Sequence, residues 1–279
     1  MTCFEFQHEA MATSYAITIA DHPVDYARQA AVAAWHELDR LEGELSRFVE
    51  SSDISRANRL TEGESVIIGD DTLECLLLAA EVGVATDHAF DVAYASTRAA
   101  AQPPEAPPFT LDPATHTLTS RVPRLQLDLG AIGKGYAVDR LGALLAEWEI
   151  HSACLQSGGS TALVLAPPAN HIGWAIGIGA DAFPHSLTLR NIALSASGLA
   201  VKGQHLIDPR AGRPPPRTER VWALAPTAAL SDALSTAFFV WRDDEIATFC
   251  TTHPEIGAAV TTSDQRLQRF GALSRYALE

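Results

Sequence analysis

The sequence predicts an α+β protein: helical apolar periodicity is grouped early, short alternating segments dominate late, and no sustained strand-helix alternation of a doubly wound sheet runs through the chain. Its 279 residues are 47% hydrophobic and 19% charged, the composition of an ordinary globular protein with a sizeable core. The whole span 1–279 is read as one domain carrying a Pro-rich loop at about 98–116.

Tyr15, Ile17 and Ile19 alternate with smaller or polar residues and predict a half-buried strand. Trp35, Leu38, Leu41, Leu45 and Phe48 recur at steps of three and four, the stripe of an amphipathic helix ending near Arg47. Asp71 and Glu74 have capping-box spacing and open a second helix containing Leu73, Leu76, Leu77, Ala80 and Val84, ending near Thr86. From Arg98 to Pro113, prolines at 103, 104, 107, 108 and 113 remove backbone donors and fix φ, so no regular element is expected. Leu125, Leu127 and Leu129 predict a strand running into Gly130, Gly133 and Gly135, then a helix with Val138, Leu141, Leu145 and Trp148 on one face. Strands are expected at 153–156, 161–165, 174–178, 187–189, 192–195, 221–224, 258–261 and 268–270, interrupted by a helix from near Ser231 through Val240.

The net charge of −14 repels phosphate backbones and anionic lipid, which argues against nucleic-acid and membrane partners. An anionic cofactor would need local help from a metal, basic side chains or helix N-termini. Cys3, Cys75, Cys154 and Cys250 are scattered, with no zinc-ligand spacing, and read as thiols of a reducing compartment. Neither a secretory signal, a lipobox nor a membrane-spanning run is visible, so a cytoplasmic location is expected.

Three constellations carry chemistry. In Leu127 to Asp139, three glycines at a turn let the backbone approach a ligand, and the following helix N-terminus favours phosphate or pyrophosphate; a tight connection with an exposed lysine explains it equally. The Walker pattern fails at Asp128 and Gly135. In Ser231 to Phe239, Asp232 and Thr236 stand at i and i+4 and offer one hard cation a carboxylate and a hydroxyl, with Ser235 beside them. That set suits magnesium, which keeps waters and gains phosphate ligands; a capping carboxylate and a back-bonded threonine are the bland alternative. His205-Leu206-Ile207-Asp208-Pro209-Arg210-Ala211-Gly212 is good turn chemistry, and His205 can aim a donor at a ligand. Two matches are rejected: Gly177, Gly179 and Ala182 fail as a dinucleotide fingerprint because Pro184 blocks the helix, and Gly158-Gly159-Ser160 leads into a strand where a nucleophile elbow needs a helix.

Several segments, in one order, resemble the ApbE family of FAD:protein FMN transferases. Met11-Ala12-Thr13 resembles its Met-Gly-Thr; Ser46-Arg47-Phe48 with Ser52 to Asn58 resembles its Ser-x-Tyr and Ser-Glu-x-Ser-x-x-Asn; His88-Ala89-Phe90-Asp91 resembles its Gly-Ala-Phe-Asp. The glycine turn, the His205 to Gly212 segment and Ser231 to Thr236 resemble three further family motifs. The resemblance implies a largely antiparallel sheet with a T-fold-related architecture. It also implies FAD contacts at Met11, Phe48, Ala89, Phe90, Asp91, Asp128, Lys134 and His205, and a magnesium ion on the Ala131 backbone, Asp232 and Thr236, with Ser235 close. The implied activity moves FMN from FAD to a Thr or Ser hydroxyl of a partner flavoprotein and releases AMP, with Asp128 or Asp232 accepting the proton. A metal-dependent FAD pyrophosphatase and a non-catalytic FAD-binding protein are the competing readings. Departures from the family pattern are Phe48 for tyrosine, Ala12 and His88 for glycines, Ser160 for an aspartate and a short segment after Ser197-Gly198.

Overall fold

A computed structural model describes residues 2–97, 106–180, 183–198, 207–215, 217, 219–262 and 264–279. The chain opens with strands β1 (Cys3–Ala10) and β2 (Thr13–Ala20), then helices α1 (Val24–Leu45) and α2 (Asp53–Ala57), strand β3 (Ser65–Ile67), and helices α3 (Asp70–Ala85) and α4 (Tyr94–Thr97). Strands β4 (Phe109–Asp112) and β5 (Thr117–Ser120) precede helix α5 (Gly133–Glu147). Then come β6 (Ala153–Ser157), β7 (Thr161–Val164), β8 (Trp174–Ala180), β9 (Phe183–Leu189), β10 (Ile192–Ser197) and β11 (Val221–Ala225). Helices α6 (Ala228–Val240) and α7 (Asp243–Thr252) and strands β12 (Gly257–Thr261) and β13 (Leu267–Gly271) complete the chain.

Eight strands form one sheet in the order β1-β2-β6-β7-β10-β11-β12-β13, and its neighbouring strands pair antiparallel. Alternation sends the two faces of each strand into different cores. Ile17, Leu155, Leu163, Ala193, Ala223 and Ala258 face the helices, whereas Cys154, Ala162, Val164, Leu194, Trp222 and Leu224 face the hairpin of β8 and β9 with Trp174, Ile176 and Leu187. Helices α5 and α6 lie against the first face, where Ala137, Val138, Leu141, Ala233, Ala237 and Phe238 are buried. This α+β architecture agrees with the expected class.

Several expectations need correction. Helix α1 stops at Leu45, and Phe48 lies outside it, 79% exposed. The Ser46 hydroxyl accepts from Phe48 N at 3.3 Å and the Ser46 carbonyl accepts from Ser52 Oγ at 2.6 Å, bonds that draw this backbone out of the helical ladder. Asp71 does not cap α3, whose N-cap is Gly69; its buried carboxylate instead accepts from Arg40 and Tyr136. Burial pushes the Asp71 carboxyl upward, but Arg40, Tyr136 and Arg140 outweigh it and hold the group below its usual range. Leu77 and Val84 face solvent.

Residues 125–129 bury the predicted leucines without forming a strand. Their backbone groups bond to Asn58, Ser96 and Val92, not to a neighbouring ladder. Part of the Pro-rich stretch is β4, an edge strand of the sheet ordered β3-β5-β4, where missing proline donors do not interrupt pairing because Phe109 to Asp112 contain none. Residues 98–105 of that stretch lie outside the described residues. Helix α6 starts at Ala228, three residues earlier than expected, because Thr227 accepts from Leu230 N as its N-cap. The two rejected motifs sit in hairpins: Gly177 and Gly179 on β8, and Gly158 to Ser160 between β6 and β7, while Ala182 lies outside the described residues.

Candidate metal and diphosphate site

The glycine turn is suspended from three anchors. Asn58 clamps Leu127 from both sides, accepting from its N–H at 2.6 Å and donating to its carbonyl at 3.0 Å. Asp128 N donates to the Val92 carbonyl at 2.9 Å. The Asp128 carboxylate then accepts from Gly130 N at 2.9 Å, and its second oxygen meets Arg47 Nε at 3.2 Å. Helix α5 starts two residues after Ala131, which lies in the turn itself. A Cβ at Gly135 would stand 2.3 Å from the Ala228 carbonyl oxygen, so only glycine lets the first turns of α5 and α6 approach this closely.

That approach brings Asp232 to the turn. Asp232 is 4% exposed, and its carboxylate accepts from Gly135 N at 3.2 Å and Lys134 Nζ at 3.3 Å. Lys134 also donates to the Gly130 carbonyl at 2.6 Å. Asp139 pins the two helices together by accepting from Ala228 N and Ala229 N at 2.7 and 2.8 Å. Burial is the largest influence on this carboxyl and pushes it up to about 6, against the two amide donors and with the help of nearby Asp232. On the next turn of α6, Ser235 Oγ donates to the Asp232 carbonyl at 2.8 Å, while Ser197 Oγ lies 2.8 Å from Ser235 Oγ and 3.4 Å from Thr236 Oγ1.

The aromatic side of the site is equally local. Phe48 projects into solvent with the Arg47 guanidinium 4.5 Å from its ring centroid. The loop beneath is held by Ser52 Oγ, which caps α2 by accepting from Ser55 N, and by Ser55 Oγ, which donates to the Arg47 carbonyl at 3.0 Å. Met11 and Ala12 form the β1-β2 turn, both at positive φ (50° and 57°), and Tyr15 OH donates to Met11 Sδ at 3.2 Å. Ala89 and Phe90 are 1% and 2% exposed, so their side chains are core and only their backbone can face a ligand. Asp91 accepts from Ala93 N at 2.8 Å, and burial pushes its carboxyl upward. His205 lies outside the described residues; the following turn closes through an Asp208-Arg213 bridge with Gly212 at φ 65°.

A carboxylate, hydroxyls and turn carbonyls form an all-oxygen set that fits a hard cation able to retain water. The same oxygens already attract positive charge, since the Lys134 ammonium spans Gly130 O and Asp232 Oδ2. Among the described residues, no group of three or more His, Cys, Asp or Glu forms an alternative metal site. The residues sequence reasoning missed are Asp139 and Ser197, together with the structural work of Asn58 and Arg47. Asn58, Arg47 and Asp139 had a signal, through the motifs that contain them.

The family model described as "ApbE family" matches residues 11–260. A FAD:protein FMN transferase of Haemophilus influenzae is 26% identical over an alignment covering 85% of this chain and 80% of that protein. One from Treponema pallidum is 29% identical over 56% of this chain, and the match spans about half, 49%, of that relative's length. Among solved structures, the flavin transferase ApbE from Vibrio cholerae superposes with a TM-score of 0.83 at 20% identity, covering 99% of this chain and all of that one. The apbe protein from Thermotoga maritima gives 0.82 at 21%, covering 98% of each chain. At these identities the structures establish a shared fold.

Proposed function

The chain belongs to the ApbE family, and from that premise we propose that it transfers FMN from FAD to a Thr or Ser hydroxyl of an acceptor flavoprotein, releasing AMP, in a magnesium-dependent reaction. The observation that carries the reading is the contact between Asp232 and Gly135 N at 3.2 Å, which joins the oxygen cluster of α6 to the glycine turn.

The residues divide the work. Backbone N–H groups at the start of α5 and the Lys134 ammonium face a diphosphate, which helix N-termini favour. Phe48 offers a ring for flavin stacking, and Met11 with Asp91 borders the ligand in the family's manner. Asp232, Thr236 and the Ala131 carbonyl would hold a magnesium ion, with Ser235 adjoining on the same helix as Asp232 and Thr236. A bound magnesium ion draws charge from the diphosphate oxygens and so lowers the cost of displacement at the FMN phosphorus. The acceptor hydroxyl oxygen forms the new bond to that phosphorus, the bond to the AMP oxygen breaks, and the hydroxyl proton passes to a carboxylate. Asp128 suits that last role better than Asp232: its side chain is 52% exposed, whereas Asp232 is buried and already engaged by Lys134 and Gly135.

Incubating the protein with FAD, magnesium and a flavoprotein acceptor of the family, followed by intact-mass analysis, tests this. An acceptor heavier by one FMN unit, with AMP released, is expected; an unmodified acceptor refutes transfer. Free FMN formed without any acceptor would identify a hydrolase. No helix among the described residues is long and apolar enough to cross a membrane.

A further inference from the structure

The serine and threonine hydroxyls around α6 can be assigned directions, because each carries one hydrogen and two acceptor positions. Ser235 Oγ donates to the Asp232 carbonyl at 2.8 Å, which commits its hydrogen. In the 2.8 Å contact between Ser197 and Ser235, the donor must therefore be Ser197. With that hydrogen spent, the 3.4 Å contact between Ser197 Oγ and Thr236 Oγ1 can be bridged only by the hydrogen of Thr236. The contact is long for a hydroxyl pair, so it orients more than it holds. The i−4 carbonyl that a helical threonine ordinarily uses is that of Asp232, and Ser235 already bonds to it. Among the described residues, the side-chain partner of the Thr236 hydroxyl is Ser197.

We propose that Ser197 and Ser235 form a one-way hydroxyl relay, Thr236 to Ser197 to Ser235 to the Asp232 carbonyl, whose purpose is to turn both lone pairs of Thr236 Oγ1 towards a divalent cation. Ser197 lies at the end of β10 and Ser235 is fully buried in α6, so the relay couples the sheet to the metal-bearing helix. On this proposal Ser235 is a positioning residue: its hydrogen and one of its two acceptor positions are committed inside the protein, and the residue is fully buried. The inference rests on the cation site of the proposed function.

The test measures binding of Mn²⁺ as a magnesium surrogate, by electron paramagnetic resonance of the free ion, in the full chain without turnover. FAD affinity in EDTA and the melting temperature are followed in parallel. Ser197→Ala should weaken Mn²⁺ binding about tenfold, as expected when an outer-sphere partner of a ligand is lost, with FAD affinity in EDTA kept within about twofold. Ser197→Thr, which retains the hydroxyl, should restore most of the affinity, and Ser235→Ala should lose less than Asp232→Ala. Mn²⁺ affinity of Ser197→Ala within about twofold of the parent overturns the relay, as does a Ser235→Ala loss equal to that of Asp232→Ala. If Ser197→Ala fails to fold, the comparison of Ser197→Thr with Ser197→Cys decides, since the weaker thiol donor should bind Mn²⁺ less tightly; equal affinities overturn the proposal. Mn²⁺ binding that is indifferent to Asp232→Ala refutes the cation site itself, a failure distinct from that of the relay.

Discussion

Replacing Asn58 tests whether the glycine turn is held by side-chain bonds in place of a β-ladder. Asn58 serves both backbone groups of Leu127, whose side chain is 1% exposed, through bonds of 2.6 and 3.0 Å. Asn58→Ala leaves a donor and an acceptor without their partner, and each such group costs about 1–3 kcal/mol when water cannot replace it fully. Partial solvent access places the sum near the lower end, about 2–4 kcal/mol. For a chain of this size that is a fall in melting temperature of roughly 4–10 °C. Asn58→Asp separates the two bonds: it keeps the acceptor for Leu127 N but sets a carboxylate oxygen against the Leu127 carbonyl.

The functional consequence follows from adjacency. Asp128 is the next residue, and its pairing with Arg47 and its bond to Gly130 N depend on the same segment. FAD affinity, measured by flavin fluorescence at a temperature where each variant remains folded, should weaken about tenfold in Asn58→Ala, the equivalent of about 1.4 kcal/mol. Denaturation midpoints and binding curves for both variants check the argument. Asn58→Ala with unchanged stability, or with full FAD affinity despite reduced stability, would show that the turn does not depend on this clamp.

Gly135→Ala should separate α5 from α6, because its Cβ would stand 2.3 Å from the Ala228 carbonyl oxygen; a loss of about 1–3 kcal/mol or more and loss of Mn²⁺ binding are expected, whereas Gly133→Ala, at 3.4 Å from Leu129 Cβ, should retain both. Ala12→Gly should raise stability by about 1 kcal/mol, read as a higher denaturation midpoint, since Ala12 holds φ at 57° in a two-residue hairpin turn. Asp139 is raised from 3.8 to about 6 in the folded protein, so its protonation supports the fold below about pH 4 and that support, of order 3 kcal/mol, is lost as pH rises through 6. Denaturation midpoints of wild type and Asp139→Asn across pH 4–7 should therefore converge or cross in the variant's favour on the alkaline side, and parallel profiles would refute the assignment.

The elements legible in the sequence were those with a dominant period. The leucine stripe of α1 and the alternation in β2 reported burial directly, and burial is what built them. Residues 125–129 alternate in the same manner, yet the partner that decides between strand and extended loop is Asn58, far away in sequence. Helix α7 was missed because its opening run Asp243-Asp244-Glu245 looks like loop composition, although three carboxylates favour a helix N-terminus. Strand β1 was hidden by Glu5, Gln7 and Glu9, polar on one face as an edge strand allows. At the site, motifs found Asp128, Lys134, Asp232 and Thr236; they contained Asp139 without giving it a role and gave none to Ser197, because the meaning of both lies in hydrogen-bond partners contributed by α6.

Charge pairing supports the cation requirement of the proposed function. At the turn, Asp128 is matched by Arg47 and Asp232 by Lys134, so each carboxylate already has a side-chain cation. A diphosphate would add two negative charges to a locally balanced site within a protein of net charge −14. The α5 N-terminus offers only about half a positive charge, and Lys134 cannot neutralise Asp232 and a phosphate in full at once. In the proposed reaction a divalent ion would supply the missing charge, and Asp232, now 3.3 Å from Lys134 Nζ, would be the carboxylate to hold it, leaving the Lys134 ammonium for the ligand. On this account the metal and the diphosphate bind cooperatively. Mn²⁺ affinity should rise when FAD is present, and Lys134→Met should diminish that gain while leaving Mn²⁺ binding in the absence of FAD equal to or tighter than that of the parent.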